Sequence, residues 1–345
     1  VANSEDEAVE AIPDDIPSLV ALVRDGTTEA QKENAAAALA NLANGNAANR
    51  AAIAAAGGIP PLVALVRNGT EKQKEFAAQA LSNLADSNDD NRAAIAAARG
   101  IPPLVALVRD GTTVNQKRNA ALALAILAID NANSAAIAAA GGIPPLVALV
   151  RDGTTVNQKQ NAAAALANLA HNDANSAAIA AARGIPPLVA LVRDGTTVNQ
   201  KAYAALALAI LAHNDANRAA IAAAGGIPPL VALVRDGTTE EQKEYAVSAL
   251  ANLAKGGNAN RAAIEAAGGI IPPLIALVRH GTVWAQINAA NVLRKITDNE
   301  DWRKSTSVEM RLLVDAERGR VDCDYWEDTL PKFTEVRDAM QNHGQ

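Results

Sequence analysis

The residue types that most often carry chemistry are sparse in this chain and badly placed for it. Cys323 is the single cysteine, and no histidine stands near it in sequence. The flanking carboxylates Asp322 and Asp324 would raise its thiol pKa rather than activate it. His171 and His213 occupy matching positions one repeat apart, but no further ligand type repeats with them, so a metal set is not assembled. The glycines lie in short turns, and no strand or Gly-Lys-Ser/Thr sequence accompanies them to cradle a phosphate. Asn68-Gly69-Thr70 has the spacing of a glycosylation acceptor and reads better as a loop turn. No enzyme, cofactor or metal is expected.

Half of the residues are apolar, yet only 2% are aromatic, and alanine makes up much of the difference. Such a chain suits thin layers of closely approaching helices better than one large core filled with rings. No apolar run approaches the ~18 residues of a transmembrane helix, and no signal-peptide pattern opens the sequence. The chain begins at Val1 rather than Met, so an upstream segment is expected either to have been removed or never to have belonged to it. A lone cysteine favours a reducing, intracellular (cytoplasmic or nuclear) compartment. A net charge of −6 argues against a general nucleic-acid surface and makes a basic peptide the better electrostatic partner.

The positioning elements follow from a repeat. Ile-Pro-Pro recurs with its second proline at Pro61, Pro103, Pro145, Pro187, Pro229 and Pro273, in four steps of 42 residues and one of 44. A degenerate copy, Ile16-Pro17-Ser18-Leu19, precedes them. Seven units are expected over residues 14–297, starting near 14, 49, 91, 133, 175, 217 and 260. Each reads as three helices. The first is short, as in Asn133 to Ala140, with asparagine as N-cap and Gly141-Gly142 as its stop. The second begins at a Pro-Pro pair, where missing N–H groups cost nothing. The third is longest, roughly Val156 to Ala170, and Thr155/Gln158, Thr113/Gln116, Thr197/Gln200 and Thr239/Gln242 have capping-box spacing. A unit this small buries its apolar face only by stacking on neighbours. In the seventh unit Val283 stands where the capping threonine is expected, and Trp284 falls on the inward side of the third helix.

Ala-Gly-Gly-Ile-Pro-Pro-Leu-Val-Ala-Leu-Val-Arg-Asp-Gly, then Gln-Lys, then Ala-Leu-Ala-Asn-Leu-Ala, resembles the armadillo repeat over about four-fifths of the chain. The resemblance implies an all-α, right-handed solenoid like the repeat domains of importin alpha and beta-catenin. Third helices would line a concave groove that holds an extended peptide or partner protein. It assigns to Asn41, Asn83, Asn168 and Asn252 the ladder role, bonding the peptide backbone. Ile126 and Ile210 break that ladder. The family's nuclear-import members carry tryptophan one turn earlier; Ala37, Gln79, Ala164 and Ser248 stand there, so a tryptophan clamp on lysine is not implied.

Comparing copies within the chain locates the changing positions. Second-helix leucines recur unaltered at Leu62, Leu104, Leu146, Leu188, Leu230 and Leu274. Third helices vary instead along rows three or four residues apart, which share one face. The groove-lining set is Glu33, Glu75, Phe76, Gln79, Leu122, Ile126, Tyr203, Leu206, Ile210, Glu244, Tyr245 and Trp284. These rows read as a contact surface or as drift on a solvated face. The pairs Leu122/Ile126 and Leu206/Ile210 suit an apolar peptide side chain, a weak self-association patch or a slightly larger core. A structural or self-assembling module is the alternative function. Residues 1–13 form an acidic leader with Glu5, Asp6, Glu7 and Glu10 that could occupy a groove. Residues 298–345 read as a capping helix over Ser307 to Glu317 and an acidic, aromatic stretch from Asp322 to Asp328. Near-identity of the units fits an engineered array or a recent duplication.

Overall fold

In a computed structural model, residues 15–296 are described. The acidic leader, the 307–317 helix and the 322–328 stretch lie outside them. The first unit contributes α1 (Ile16–Asp25) and α2 (Glu29–Ala43). Six three-helix units follow. The second unit is α3 (Ala47–Ala55), α4 (Ile59–Asn68) and α5 (Glu71–Ala85). The third is α6 (Asp89–Ala97), α7 (Ile101–Asp110) and α8 (Val114–Leu127). The fourth is α9 (Asn131–Ala139), α10 (Ile143–Asp152) and α11 (Val156–Leu169). The fifth is α12 (Asp173–Ala181), α13 (Ile185–Asp194) and α14 (Val198–Leu211). The sixth is α15 (Asp215–Ala223), α16 (Ile227–Asp236) and α17 (Glu240–Leu253), and the seventh α18 (Asn258–Ala266), α19 (Ile271–His280) and α20 (Val283–Ile296). The array divides within α10 into a part ending at Leu149 and a part starting at Val150.

Within each part the third helices pack side by side: α2 on α5 and α5 on α8, then α11 on α14, α14 on α17 and α17 on α20. Alanine makes that approach possible, since Ala77, Ala78, Ala120 and Ala121 are fully buried between them. Leu39, Leu81, Leu124, Leu208 and Leu250 supply the bulk of this layer. First and second helices meet at 83° between α3 and α4 and at 82° between α12 and α13. Glycine allows the corner. Gly57 takes φ +74°, and a Cβ on Gly58 would lie 2.8 Å from Ile53 Cγ2 and 3.1 Å from Val20 Cγ2 of the preceding unit. Arg99 and Arg183 replace the first glycine of the pair and still adopt φ 57°, a region costing an L-residue roughly 1–2 kcal/mol.

The short helices start two or three residues earlier than the sequence suggests. Asp130, not Asn133, caps α9, accepting from the Asn133 backbone N–H. In the neighbouring units Asn46, Asn88, Asn172 and Asn214 cap in that place. Asparagine recurs at both ends of the first turn, and the second copy is turned inward: Asn91 Nδ2 donates to the Leu84 carbonyl at 2.8 Å.

Third-helix starts carry the most consequential bonds. Thr28, Thr70 and Thr155 form complete capping boxes with Gln31, Gln73 and Gln158. Gln116, Gln200 and Gln242 depart from the expected box. Their Oε1 atoms accept at 2.9 Å from Thr112, Thr196 and Thr238 N–H, one residue before the cap. The other end of the amide crosses to the preceding unit. Gln73 Nε2 donates to the Glu29 carbonyl at 3.0 Å and Gln116 Nε2 to Glu71 at 2.9 Å. Gln200 and Gln242 do the same to Val156 and Val198, each at 3.2 Å. In the seventh unit Thr282 keeps the cap, accepting from Ala285 N–H, so Val283 does not replace it. The glutamine there, Gln286, sits one place later, and its buried Oε1 has no partner among the described residues.

Gln116→Ala should lower stability by about 2 kcal/mol, because one buried amide serves both a helix start and an inter-unit bond. Arg183→Gly should raise it by about 1 kcal/mol by relieving a left-handed arginine. Urea unfolding followed by circular dichroism reads both as opposite midpoint shifts.

Candidate functional site

Between their buried alanine and leucine positions the third helices keep one strip of half-exposed side chains. In the N-terminal part it holds Glu33, Phe76, Gln79, Asn83, Leu122 and Ile126, with Asn41 exposed. Lys72 Nζ stands 5.8 Å from the Phe76 ring centroid, within cation–π range. Glu75 departs from the expected groove position. It is 7% exposed, accepts from Asn115 Nδ2 at 2.9 Å, and pairs with Lys72 at 3.6 Å. Its backbone carbonyl receives Asn119 Nδ2 at 3.0 Å. The Glu75 position is therefore part of an inter-unit seam.

In the C-terminal part the strip holds Tyr203, Leu206, Tyr245, Glu244 and Asn168, with Trp284 58% exposed at its end. Ile210 is 7% exposed and belongs to the core, so of the two apolar pairs only Leu122/Ile126 is half-open at both members. Tyr203 and Tyr245 occupy equivalent places on α14 and α17. The Tyr245 hydroxyl donates to Glu241 Oε1 at 3.1 Å. Burial, then the charges of Glu241 and Glu244 and the neighbouring Tyr203, push its phenol up to about 12. The Thr282 hydroxyl donates to the Glu244 carboxylate.

The asparagine ladder is bonded within the protein. Asn83 Nδ2 donates to the Ala40 carbonyl at 2.9 Å, one unit back. Asn252, 6% exposed, donates to the Ala209 carbonyl at 3.0 Å and accepts from Lys255 Nζ at 2.9 Å. Asn41 has no preceding third helix among the described residues, which accounts for its exposure. Each Nδ2 carries a second N–H beyond its internal bond, so the Asn83 amide keeps both a donor and an acceptor for a ligand. The sequence pattern did not reveal these bonds, nor the buried glutamines behind the strip. The one available signal was that asparagine and glutamine recur at the unit period.

Hollows also open away from this strip. Spaces of about 400 and 310 Å³ open at the second-to-third-helix turns, lined by Arg193, Lys201, Pro229 and Asp236 in one and by Arg67, Lys74, Pro103 and Asp110 in the other. Their repetition in equivalent residues marks them as a product of the repeat. Among the described residues no group of three or more His, Cys, Asp or Glu is placed to hold a metal ion. No single described helix is long and apolar enough to cross a membrane.

Comparison with known proteins agrees with this architecture. The armadillo/beta-catenin-like repeat model matches residues 46–86, 130–171 and 214–255. An engineered protein of known crystal structure is 35% identical, with a TM-score of 0.65, covering 71% of this chain and 98% of its own. A second engineered protein is 32% identical with a TM-score of 0.77, covering 94% of this chain and 76% of its own. Computationally designed armadillo repeat proteins for modular peptide recognition are 27% identical with a TM-score of 0.63, over 69% of this chain and 99% of theirs. No curated protein matches. The chain belongs to the armadillo repeat proteins: an all-α solenoid of the kind typical of protein-interaction scaffolds.

The raised Tyr245 phenol gives a pH signature. The folded state holds the protonated form more tightly than the unfolded chain does, so its contribution is present below the ordinary tyrosine pKa of about 10. That contribution should fade as pH climbs through about 12. Ultraviolet titration of tyrosinate should show one late-titrating tyrosine that Tyr245→Phe removes.

Proposed function

We propose that this chain holds an extended peptide, or an extended segment of a partner protein, on the strip presented by its third helices. The observation that carries the reading is the contrast within those helices. Alanine and leucine positions are invariant in kind and buried, whereas Phe76, Gln79, Leu122, Tyr203, Leu206 and Tyr245 change from unit to unit and stay half-exposed. Half-exposed aromatic and aliphatic side chains on a rigid face are what a bound side chain needs as anchors. Support also comes from the designed armadillo proteins for modular peptide recognition, which share the fold.

The role is binding rather than catalysis, in a reducing, intracellular compartment, without nucleic acid or membrane as partner. Asn83 and Asn168 present amide groups to the ligand backbone, and the intervening rows choose its side chains. Leu122 and Ile126 favour a second reading, self-association, since both members of that pair are half-open.

Fluorescence polarisation against a library of extended peptides tests the first reading. Asn168→Ala and Asn83→Ala should weaken every bound peptide by a similar factor, roughly 5-fold. Tyr203→Ala should instead change which peptides bind. Indifference to all three substitutions rejects the reading. Light scattering across concentration, with Leu122→Ser and Ile126→Ser, tests self-association.

A further inference from the structure

Three positions after the ladder row, the C-terminal part carries a run of cationic groups that the N-terminal part lacks. His171 follows α11, His213 follows α14, and Lys255 lies in the turn after α17. The corresponding N-terminal residues are Asn44, Asp86 and Ile129. His171, His213 and Lys255 are all exposed. The contact of Lys255 Nζ with Asn252 Oδ1, at 2.9 Å, seats the ammonium on the ladder itself.

The charges around this run do not balance. Partial burial first, then the cations Lys255, His171 and Arg218, hold the His213 imidazole below its ordinary pKa, and only Asp173 opposes them. Arg218 is already engaged, donating to the Ala212 and His213 carbonyls at 3.0 and 2.9 Å and pairing with Asp215. Those bonds satisfy carbonyls at the end of α14. What remains is the exposed Lys255 ammonium beside two imidazoles, with Asp173 the one carboxylate that acts on His213.

Resting on the peptide-binding reading above, we propose that His171, His213 and Lys255 form a carboxylate-recognition strip for aspartate or glutamate side chains of the bound peptide. Packed helices stand roughly 8–10 Å apart and an extended chain rises about 3.3 Å per residue. Acidic residues separated by two or three positions would therefore meet successive cations. An arriving carboxylate stabilises the imidazolium, so binding takes up a proton and strengthens as pH falls.

The test uses the full chain and two short fluorescein-labelled peptides, identical except that one carries two spaced glutamates and the other glutamines. Fluorescence anisotropy should give the glutamate peptide roughly 5- to 10-fold tighter binding at about pH 6, narrowing by about pH 8. The double variant His213→Gln, Lys255→Gln should erase that preference and leave the glutamine peptide's affinity unchanged, with the circular dichroism melt confirming the fold. A preference that survives in the double variant overturns the assignment to these residues. Equal binding of both peptides by the unaltered chain overturns the carboxylate strip and leaves peptide binding standing. No binding of either peptide overturns both.

Discussion

A buried amide at the start of α5, α8, α14 and α17 holds each of these helices in register with the one before it. Gln73, Gln116, Gln200 and Gln242 are each 2–4% exposed. Each binds the backbone at its own helix start through Oε1 and the first turn of the preceding third helix through Nε2. An amide is suited to this because it is donor and acceptor at once, and leaving either end unpaired in the interior would be costly. The alanine layers beside it supply close contact but little direction: smooth methyl surfaces could slide along one another. The glutamine bond fixes the axial offset, and everything displayed on the third helices inherits that offset.

The remaining polar bonds between units follow the same logic further along the helix. Asn119 reaches the Glu75 carbonyl, Asn83 reaches Ala40, and Asn252 reaches Ala209. Near the C-terminal ends, Arg50 and Arg92 donate to Ala43 and Ala85 carbonyls within their own neighbourhood, closing acceptors that the helix itself leaves open. A third helix is thus tied at its start, middle and end. The half-exposed side chains between the ties have little freedom to shift, which keeps the ordering cost of capturing a ligand low.

Much of this was legible in the sequence, and the misses share a cause. The period, the three-helix unit, the proline starts and the glycine corners rest on local rules that each copy repeats. The threonine–glutamine spacing announced a cap at α8, α11, α14 and α17. What it could not announce was the far end of the glutamine, because a capping box accounts for one end of the amide and the other bond is made forty-odd residues away. The same limit explains Glu75 and Ile210, which the pattern placed on an open face and packing buried. Helical spacing says which residues share a side. It does not say where on that side the neighbouring helix ends and solvent begins. Tyr203, Leu206, Tyr245 and Leu122 fell on the open part of the same face, while Asn133 was read as a cap because asparagine occupies both ends of that turn.

The internal bonding of the ladder changes where affinity must come from. The Asn252 amide gives one N–H to the Ala209 carbonyl and keeps the other, so a peptide carbonyl adds a bond to a side chain already fixed in place, worth about 1 kcal/mol net. The same holds for Asn83 and Ala40. Sequence-independent backbone grip then contributes modestly at each asparagine, and the rest of the free energy of binding must reside in side-chain burial at Phe76, Leu122, Tyr203, Leu206 and Tyr245 and in whatever charge pairing the ends of the third helices supply. Apolar burial is worth about 25 cal/mol per Å², so each anchor counts only if the arriving side chain fits its space. On this argument an array of nearly identical units gains selectivity from the few positions at which the units differ.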